Sequence, residues 1–315
     1  MSSTSNQTIS SFQCLINLDF YPTKTTLLSA SVVPKWISLI AINIVISPLT
    51  VLINLLVIWT VLKNEQLRSN SYYILVTILS FGDLLVGLVV QPLYAALMIC
   101  FTVQCSYICE LTMIYTVSAL LCSAWTTVTM VIVSLERYLY IEHPLFYHTS
   151  VTSKKLMIAT AASSVLVGTT ILSTWLQVPE TMWARQLPLI LMFGPSFVIV
   201  FFCVSKIHLT ARRQMRAISA QQESVAIKQS KIKEYKRTFT LGLIVLASVA
   251  CLCPILVLKI LGVVKGNWPD NVRLLHGISL TLLHLQSFIN PIIYSLRLSD
   301  IRSGVAKRLG CNYSQ

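Results

Sequence analysis

Charge is what this chain has least of. Asp, Glu, Lys and Arg make up only 11% of the 315 residues, and 11 acidic residues face 24 basic ones. Soluble domains usually carry about 25% charged residues, so a water-soluble fold of this composition could not cover its own surface. Internal repeats, Gly-rich tracts and Pro-rich linkers are missing as well, and the chain reads as one domain. No HExxH metal motif and no Gly-rich phosphate loop behind a strand is present. The histidines (His143, His148, His208, His276, His284) are scattered, which argues against an enzyme. Residues 1–35 lack the short apolar core of a cleavable signal peptide, so the first apolar span serves as an uncleaved signal.

Hydrophobic residues fill the gap, at 55% with a mean hydropathy of +0.73. A helix crossing the hydrocarbon needs roughly 20 largely apolar residues. Seven stretches qualify: 36–62, 72–99, 107–140, 155–176, 187–210, 236–262 and 272–296. Short polar connectors separate them, the one long connector being about 211–235. The shorter alternating runs of membrane strands are absent. The tail places Leu298, Ile301, Val305 and Leu309 at helical spacing with Arg302, Lys307 and Arg308 between them, the pattern of an interfacial amphipathic helix. The expected fold is an all-α membrane protein, a seven-transmembrane helix bundle with a short C-terminal amphipathic helix. Residues 1–35 form an extracellular segment, 36–296 the bundle, and 297–315 a cytoplasmic helix and tail.

The net charge of +13 would suggest nucleic acid in a soluble protein, but its placement points elsewhere. With the N-terminus outside, Lys24, Lys35, Arg185, Lys259, Lys265 and Arg273 fall on or near the outer face. The other 18 of the 24 basic residues fall inside, as the positive-inside rule requires. The partner of this charge is therefore the lipid bilayer. Asn6, in Asn6-Gln7-Thr8, is a glycosylation sequon on the outer side. Cys311, just past the tail helix, is a palmitoylation candidate or a plain free cysteine.

Polar groups inside membrane helices are costly and so mark function. Asn54 sits in the middle of the first span and Asp83 deep in the second. Glu136, Arg137 and Tyr138 close the third. Pro195 and Pro254 interrupt the fifth and sixth, and Asn290-Pro291-Ile292-Ile293-Tyr294 ends the seventh. In this order, over about residues 36–311, they resemble the rhodopsin-like (class A) G-protein-coupled receptors. Asn54 resembles that family's helix-one asparagine and Leu79-Ser80-Phe81-Gly82-Asp83 its "LxxxD". Glu136-Arg137-Tyr138 is similar to "D/E-R-Y", Asn290 to Tyr294 is similar to "NPxxY", and Pro195 and Pro254 match its helix-five and helix-six prolines.

The resemblance implies a plasma-membrane receptor that binds an extracellular ligand among its helices and activates a heterotrimeric G protein, with arrestin as a further partner. A seven-helix transporter or channel is the alternative, disfavoured by the lack of repeats. Arg137 is implied to couple to the G protein and, at rest, to pair with Glu136 and with Glu234 at the base of helix six. A lone acid balancing a basic run is the plainer reading of Glu234. Pro195, Pro254, Pro291 and Tyr294 belong to the helix switch. Asp83, with Asn54, Thr126, Ser287 and Asn290, forms a polar core and a candidate sodium site, or a protonated aspartate bonded to Asn290. No other cofactor or metal is expected.

Departures from the pattern matter too. Leu252 replaces the helix-six tryptophan, Cys203 the helix-five tyrosine, Gln286 a helix-seven asparagine, and Ser164 and Val165 the helix-four tryptophan. Ala119 stands where amine receptors place aspartate, and His284 where opsins carry the retinal lysine. The remaining ligand-pocket candidates are Gln91, Glu110, Tyr115, Lys259 and His276, together with Ala119 and His284. The second outer loop, about 177–187, has no cysteine, as in melanocortin-type, some lipid and some invertebrate chemosensory-like receptors. Cys14 is expected to pair with Cys105 or Cys109; pairing within 100–109, and free thiols, are the alternatives.

Overall fold

The computed structural model describes residues 33–103, 105–177, 187–220, 225–265 and 270–308. Among these there is no strand. Eight helices carry the fold: α1 Val33–Lys63, α2 Ser71–Val103, α3 Ile108–Glu142, α4 Ser153–Gln177, α5 Leu187–Ala220, α6 Val225–Lys265, α7 Asp270–Arg297 and α8 Ser299–Arg308. Short helices, Glu65–Arg68 and Pro144–Ser150, follow α1 and α3.

α3 lies at the centre, against α2, α4, α5 and α6. α1 packs on α2 and α7, and α6 packs on α5 and α7, which closes the ring. Residues of α1 to α5 form five helical stretches long and apolar enough to cross a membrane, and α6 contributes the apolar stretch Gly242–Leu258. α7 is more polar because its His276, Thr281, His284, Gln286, Ser287 and Asn290 are all buried against protein. Its polarity is spent inside the bundle.

The turns follow from side chains that replace missing backbone bonds. Asn64 and Asn70 cap the helices that follow them, each accepting the N–H two residues on at 3.0 Å. In α2, Pro92 has no N–H to give, and the helix widens just ahead of it into a π turn over Val86–Val90, with the Gln91 N–H reaching Val86. In that wider register the Gly87 carbonyl faces the proline position. The Ser47 hydroxyl of α1 donates to it instead, at 2.7 Å.

Several expectations need correction. The long polar connector at 211–235 is largely helical: α5 runs to Ala220 and α6 begins at Val225. Arg, Gln, Met, Ala, Lys and Glu in this stretch are good helix formers, and a helix satisfies its own backbone whether lipid or water surrounds it. α8 is the expected short amphipathic helix, and its apolar face meets the bundle. Leu298 and Ile301 are buried and Val305 packs on the core, because α8 docks on α1 and α7; Leu309 lies outside the described residues. Cys105 pairs with Cys100, with Cα atoms 5.1 Å apart, so it is not the partner of Cys14. That pair closes a tight loop between α2 and α3, where the Cys105 N–H also bonds the Cys100 carbonyl. Cys109 is disulfide-bonded too, and Cys14, Asn6 and Cys311 lie outside the described residues.

Helices in lipid associate through close contact and hydrogen bonds rather than through the hydrophobic effect. Gly82 shows the first of these. A Cβ there would lie 2.4 Å from Cδ1 of Trp125, whose indole N–H donates to the Ile78 carbonyl at 3.0 Å. Gly82→Ala should push this indole out and destabilise the protein by about 1–3 kcal/mol. A lower unfolding temperature of the purified variant, with the same helix content, is the expected measurement.

Candidate functional site

Three polar assemblies lie along the axis of the bundle. At the end that carries the Cys100–Cys105 loop, an amide, two phenols and an imidazole meet. Asn43 of α1 donates from Nδ2 to the Leu39 carbonyl (2.9 Å) and to Thr281 Oγ1 (3.1 Å), leaving Oδ1 facing His284 Nδ1 at 3.1 Å. An amide oxygen only accepts, so Nδ1 carries the proton. In the neutral ring Nε2 is then an acceptor, with the Tyr115 hydroxyl 3.4 Å away. Tyr94 stacks edge-on to His284 and donates to the Gly277 carbonyl at 3.0 Å.

Below this cluster runs a cavity with an empty volume of about 850 Å³, its mouth included, between α2, α3, α5, α6 and α7. Of the seven pocket residues read from sequence, Tyr115, Ala119 and His284 line it. Gln91 is buried behind the wall, its amide directed at the His284 carbonyl at 3.4 Å. His276 is buried but does not line the cavity. Glu110 is exposed at the start of α3 and belongs to the rim at most, because a carboxylate in the first helical turn is best placed in water and beside free N–H groups. The Lys259 side chain lies outside the described residues.

The middle assembly surrounds Asp83, which has no exposed surface. Asn290 of α7 donates to Asp83 Oδ2 at 2.9 Å. Asn54 of α1 donates to the Thr50 carbonyl at 2.9 Å and to the Ser287 carbonyl at 3.0 Å. Asp83 Oδ1, Asn290 Oδ1, Asn54 Oδ1, Ser80 Oγ and the Tyr294 hydroxyl are buried without a partner. Oxygen atoms in this density beside a carboxylate suit a hard cation or ordered water. Thr126 and Ser287 both line the adjoining cavity. Among the described residues no cluster of three His, Cys, Asp or Glu side chains suits another metal.

At the opposite end, Arg137 and Glu136 are 2% and 1% exposed and form a two-pronged pair, with Nε and Nη2 each 2.5 Å from a carboxylate oxygen. The guanidinium lies over the Tyr72 and Tyr140 rings at 4.7 and 4.8 Å. Tyr147, from the short helix after α3, donates to Glu136 at 2.6 Å. Tyr138 points away, its ring against His143 and Phe202. Arg297 of α7 stacks on Phe239 of α6 at 4.6 Å. Glu234 lies in α6, and its side chain is outside the described residues. Pro195, Pro254 and Pro291 fall inside α5, α6 and α7, where each removes a backbone bond.

Sequence reading missed Asn43, Tyr94, Thr281, Ser248 and Tyr147. The first could have been found, since an asparagine within the first span is as conspicuous as Asn54. Tyr147 gave no signal, because one aromatic in a polar connector looks like any other. Ser248 accepts from Gln286 Nε2 at 2.9 Å across α6 and α7.

The fold and the three assemblies define a membrane receptor of the seven-helix kind. Residues 53–294 match the family model of the 7 transmembrane receptor (rhodopsin family). The chain belongs to that family: it is a multi-pass membrane receptor that binds an extracellular ligand and signals through a G protein, and it is not an enzyme. It is 22% identical over 295 residues to the adenosine receptor A3 of Ovis aries, covering 85% of this chain and 89% of that one. Identity to the histamine H2 receptor of Rattus norvegicus is 26% over 306 residues (87% and 81%). To the adenosine receptor A2b of Gallus gallus it is 25% over 315 residues (84% and 85%).

Burial, then the charge of Glu136 and the bond to it, push the Tyr147 phenol up to about 12. A phenol whose folded value lies above its unfolded value keeps its full contribution below the unfolded value, near 10, and loses it only as pH rises towards the folded one. Tyr147→Phe should therefore cost about 1–3 kcal/mol, as for a hydrogen bond to a charged group. The difference in unfolding temperature from the parent should stay constant between about pH 6 and 9.

Proposed function

We propose that this receptor sits in the plasma membrane with its N-terminus outside and responds to a small uncharged ligand held in the cavity beneath His284 and Tyr115. One observation carries the reading: no Asp, Glu, Lys or Arg is among the described residues lining the cavity. An ammonium buried there would lose its hydration and find no carboxylate, a cost of several kcal/mol. Ala119 lines the wall at the height where amine receptors carry that carboxylate. Polar contact is instead offered by His284 Nε2, which accepts, and by hydroxyls. Some relatives are named for adenosine, an uncharged molecule, and others for histamine, a cation at neutral pH.

The test is nucleotide exchange on a panel of G proteins with the purified receptor. Histamine is expected to be silent, and uncharged ligands that respond should lose about tenfold or more in potency in His284→Phe. A robust histamine response that His284→Phe leaves unchanged would overturn this reading.

Binding in the cavity shifts a resting population towards one with an open cytoplasmic cleft, driven by the difference in affinity for the two states. Arg137 is the proposed clamp, held at rest by Glu136 and by Glu234 across to α6, and freed to meet the G protein when α6 moves. Leu145 and Phe146, 85% and 55% exposed on the short helix beside it, supply an apolar contact for that partner. Arrestin is proposed for the same open face. Sodium beside Asp83 favours the resting state. A contribution of about 1 kcal/mol from the Arg137–Glu234 pair means that Glu234→Ala should raise ligand-free exchange by about fivefold at equal expression. In the same assay sodium should lower exchange in the parent and not in Asp83→Asn. Unchanged basal exchange removes the clamp, and sodium-insensitive exchange in both proteins removes the ion.

A further inference from the structure

We infer that the cavity holds a second, deeper compartment that takes the single hydrocarbon chain of a neutral amphiphile, the head remaining at His284 and Tyr115. This rests on the receptor reading above and adds the shape and chemistry of the ligand. The cavity is long. On α3 it runs from Tyr115 to Met130, fifteen residues or about 22 Å at the rise of a helix. On α6 the lining runs alongside it from Leu252 to Val245, about 10 Å of the same axis.

Its polarity changes with depth. Tyr115 and His284 mark one end, and Met130, Val200 and Val245 mark the other. Tyr115 belongs to the apolar cluster at the disulfide end, whereas the deep three belong to the cluster at the Arg137 end. One continuous space therefore joins two cores that are otherwise packed separately. Between them stands Leu252, where the resemblance leads one to expect an indole. Its branched chain packs with Phe193 and Ile255 and leaves the passage open. Beside it lies the Gln286–Ser248 bond, with Ser248 also donating to the Ile244 carbonyl at 2.8 Å.

Thr126, Thr127 and Ser287 line this space as well, but most of its surface is apolar, and every methylene moved against that surface leaves water favourably. The described lining has no cation to hold a carboxylate or phosphate head, so fatty acids and lysophospholipids do not fit. A head bearing hydroxyls does. It can donate to His284 Nε2, and its chain can run past Leu252, between Gln286 and Ser248 on one side and α3 on the other.

The probe is 1-monopalmitoylglycerol with a diazirine in mid-chain, photolysed on the full-length receptor in nanodiscs and followed by peptide mapping. Adducts are expected on peptides carrying Met130, Val200 or Val245. Unlabelled 1-monopalmitoylglycerol should compete them away, and 1-monobutyrin, which has the head but no long chain, should not. Val245→Trp fills the compartment and should cut labelling at least tenfold. Should that variant not fold, Val200→Phe gives the same reading with a smaller side chain. Labelling confined to lipid-facing residues such as Val198 and Phe201, labelling that both filled variants leave unchanged, or equal competition by 1-monobutyrin overturns the compartment. Ligand-free nucleotide exchange in the same preparation separates the two levels. Its loss counts against the receptor reading, whereas absent deep labelling with exchange intact counts against the compartment alone.

Discussion

The hydrogen bond from Asn290 to Asp83 ties α7 to α2 at a depth where neither group can reach water. A membrane gives buried polar groups no other outlet, so the bundle must supply their partners itself. Asn54 adds a second tie by binding the backbone of α7 at Ser287, and Asn43 a third through Thr281 and His284. These three amides tie α1 and α2 to α7 through the middle of the bundle. They also explain why α7 tolerates so many polar residues: each faces a partner or the central space rather than lipid.

α3 links the two ends. Tyr115 near its start touches the cavity, and Glu136 and Arg137 near its close form a buried pair under Tyr72 and Tyr140. A buried ion pair is weak as a source of stability; here it fixes the guanidinium beneath two aromatic rings. Tyr147 reinforces the pair from the adjoining short helix. The oxygens around Asp83 that lack partners lie between the two ends.

The departures from the family pattern form a consistent set. Leu252 is smaller than the indole the resemblance leads one to expect there, and the cavity continues past it. Gln286 is long enough to reach Ser248 across that space, which restores a contact between α6 and α7. An indole is absent from the middle of α4, where Ser164 is buried without a partner. Trp125 on α3 instead anchors to α2, in a place that only Gly82 leaves free.

The linear order of residues determined the class of the protein: seven apolar runs, basic connectors, and Asn54, Asp83, Glu136-Arg137-Tyr138 and Asn290-Pro291 at definite intervals. Such features are legible because each is local, set by bilayer thickness or by helical spacing. The amphipathic spacing of Leu298 and Ile301 was equally plain, but which surface it would meet was not. The disulfide partner of Cys105, the company kept by His284, and the separation of Glu110 from the cavity were decided only by the tertiary structure. Each depends on which faces of distant helices meet, and helical periodicity leaves that rotation open. The depth of the cavity belongs to the same class, since a void is a property of several helices at once and no single side chain encodes it.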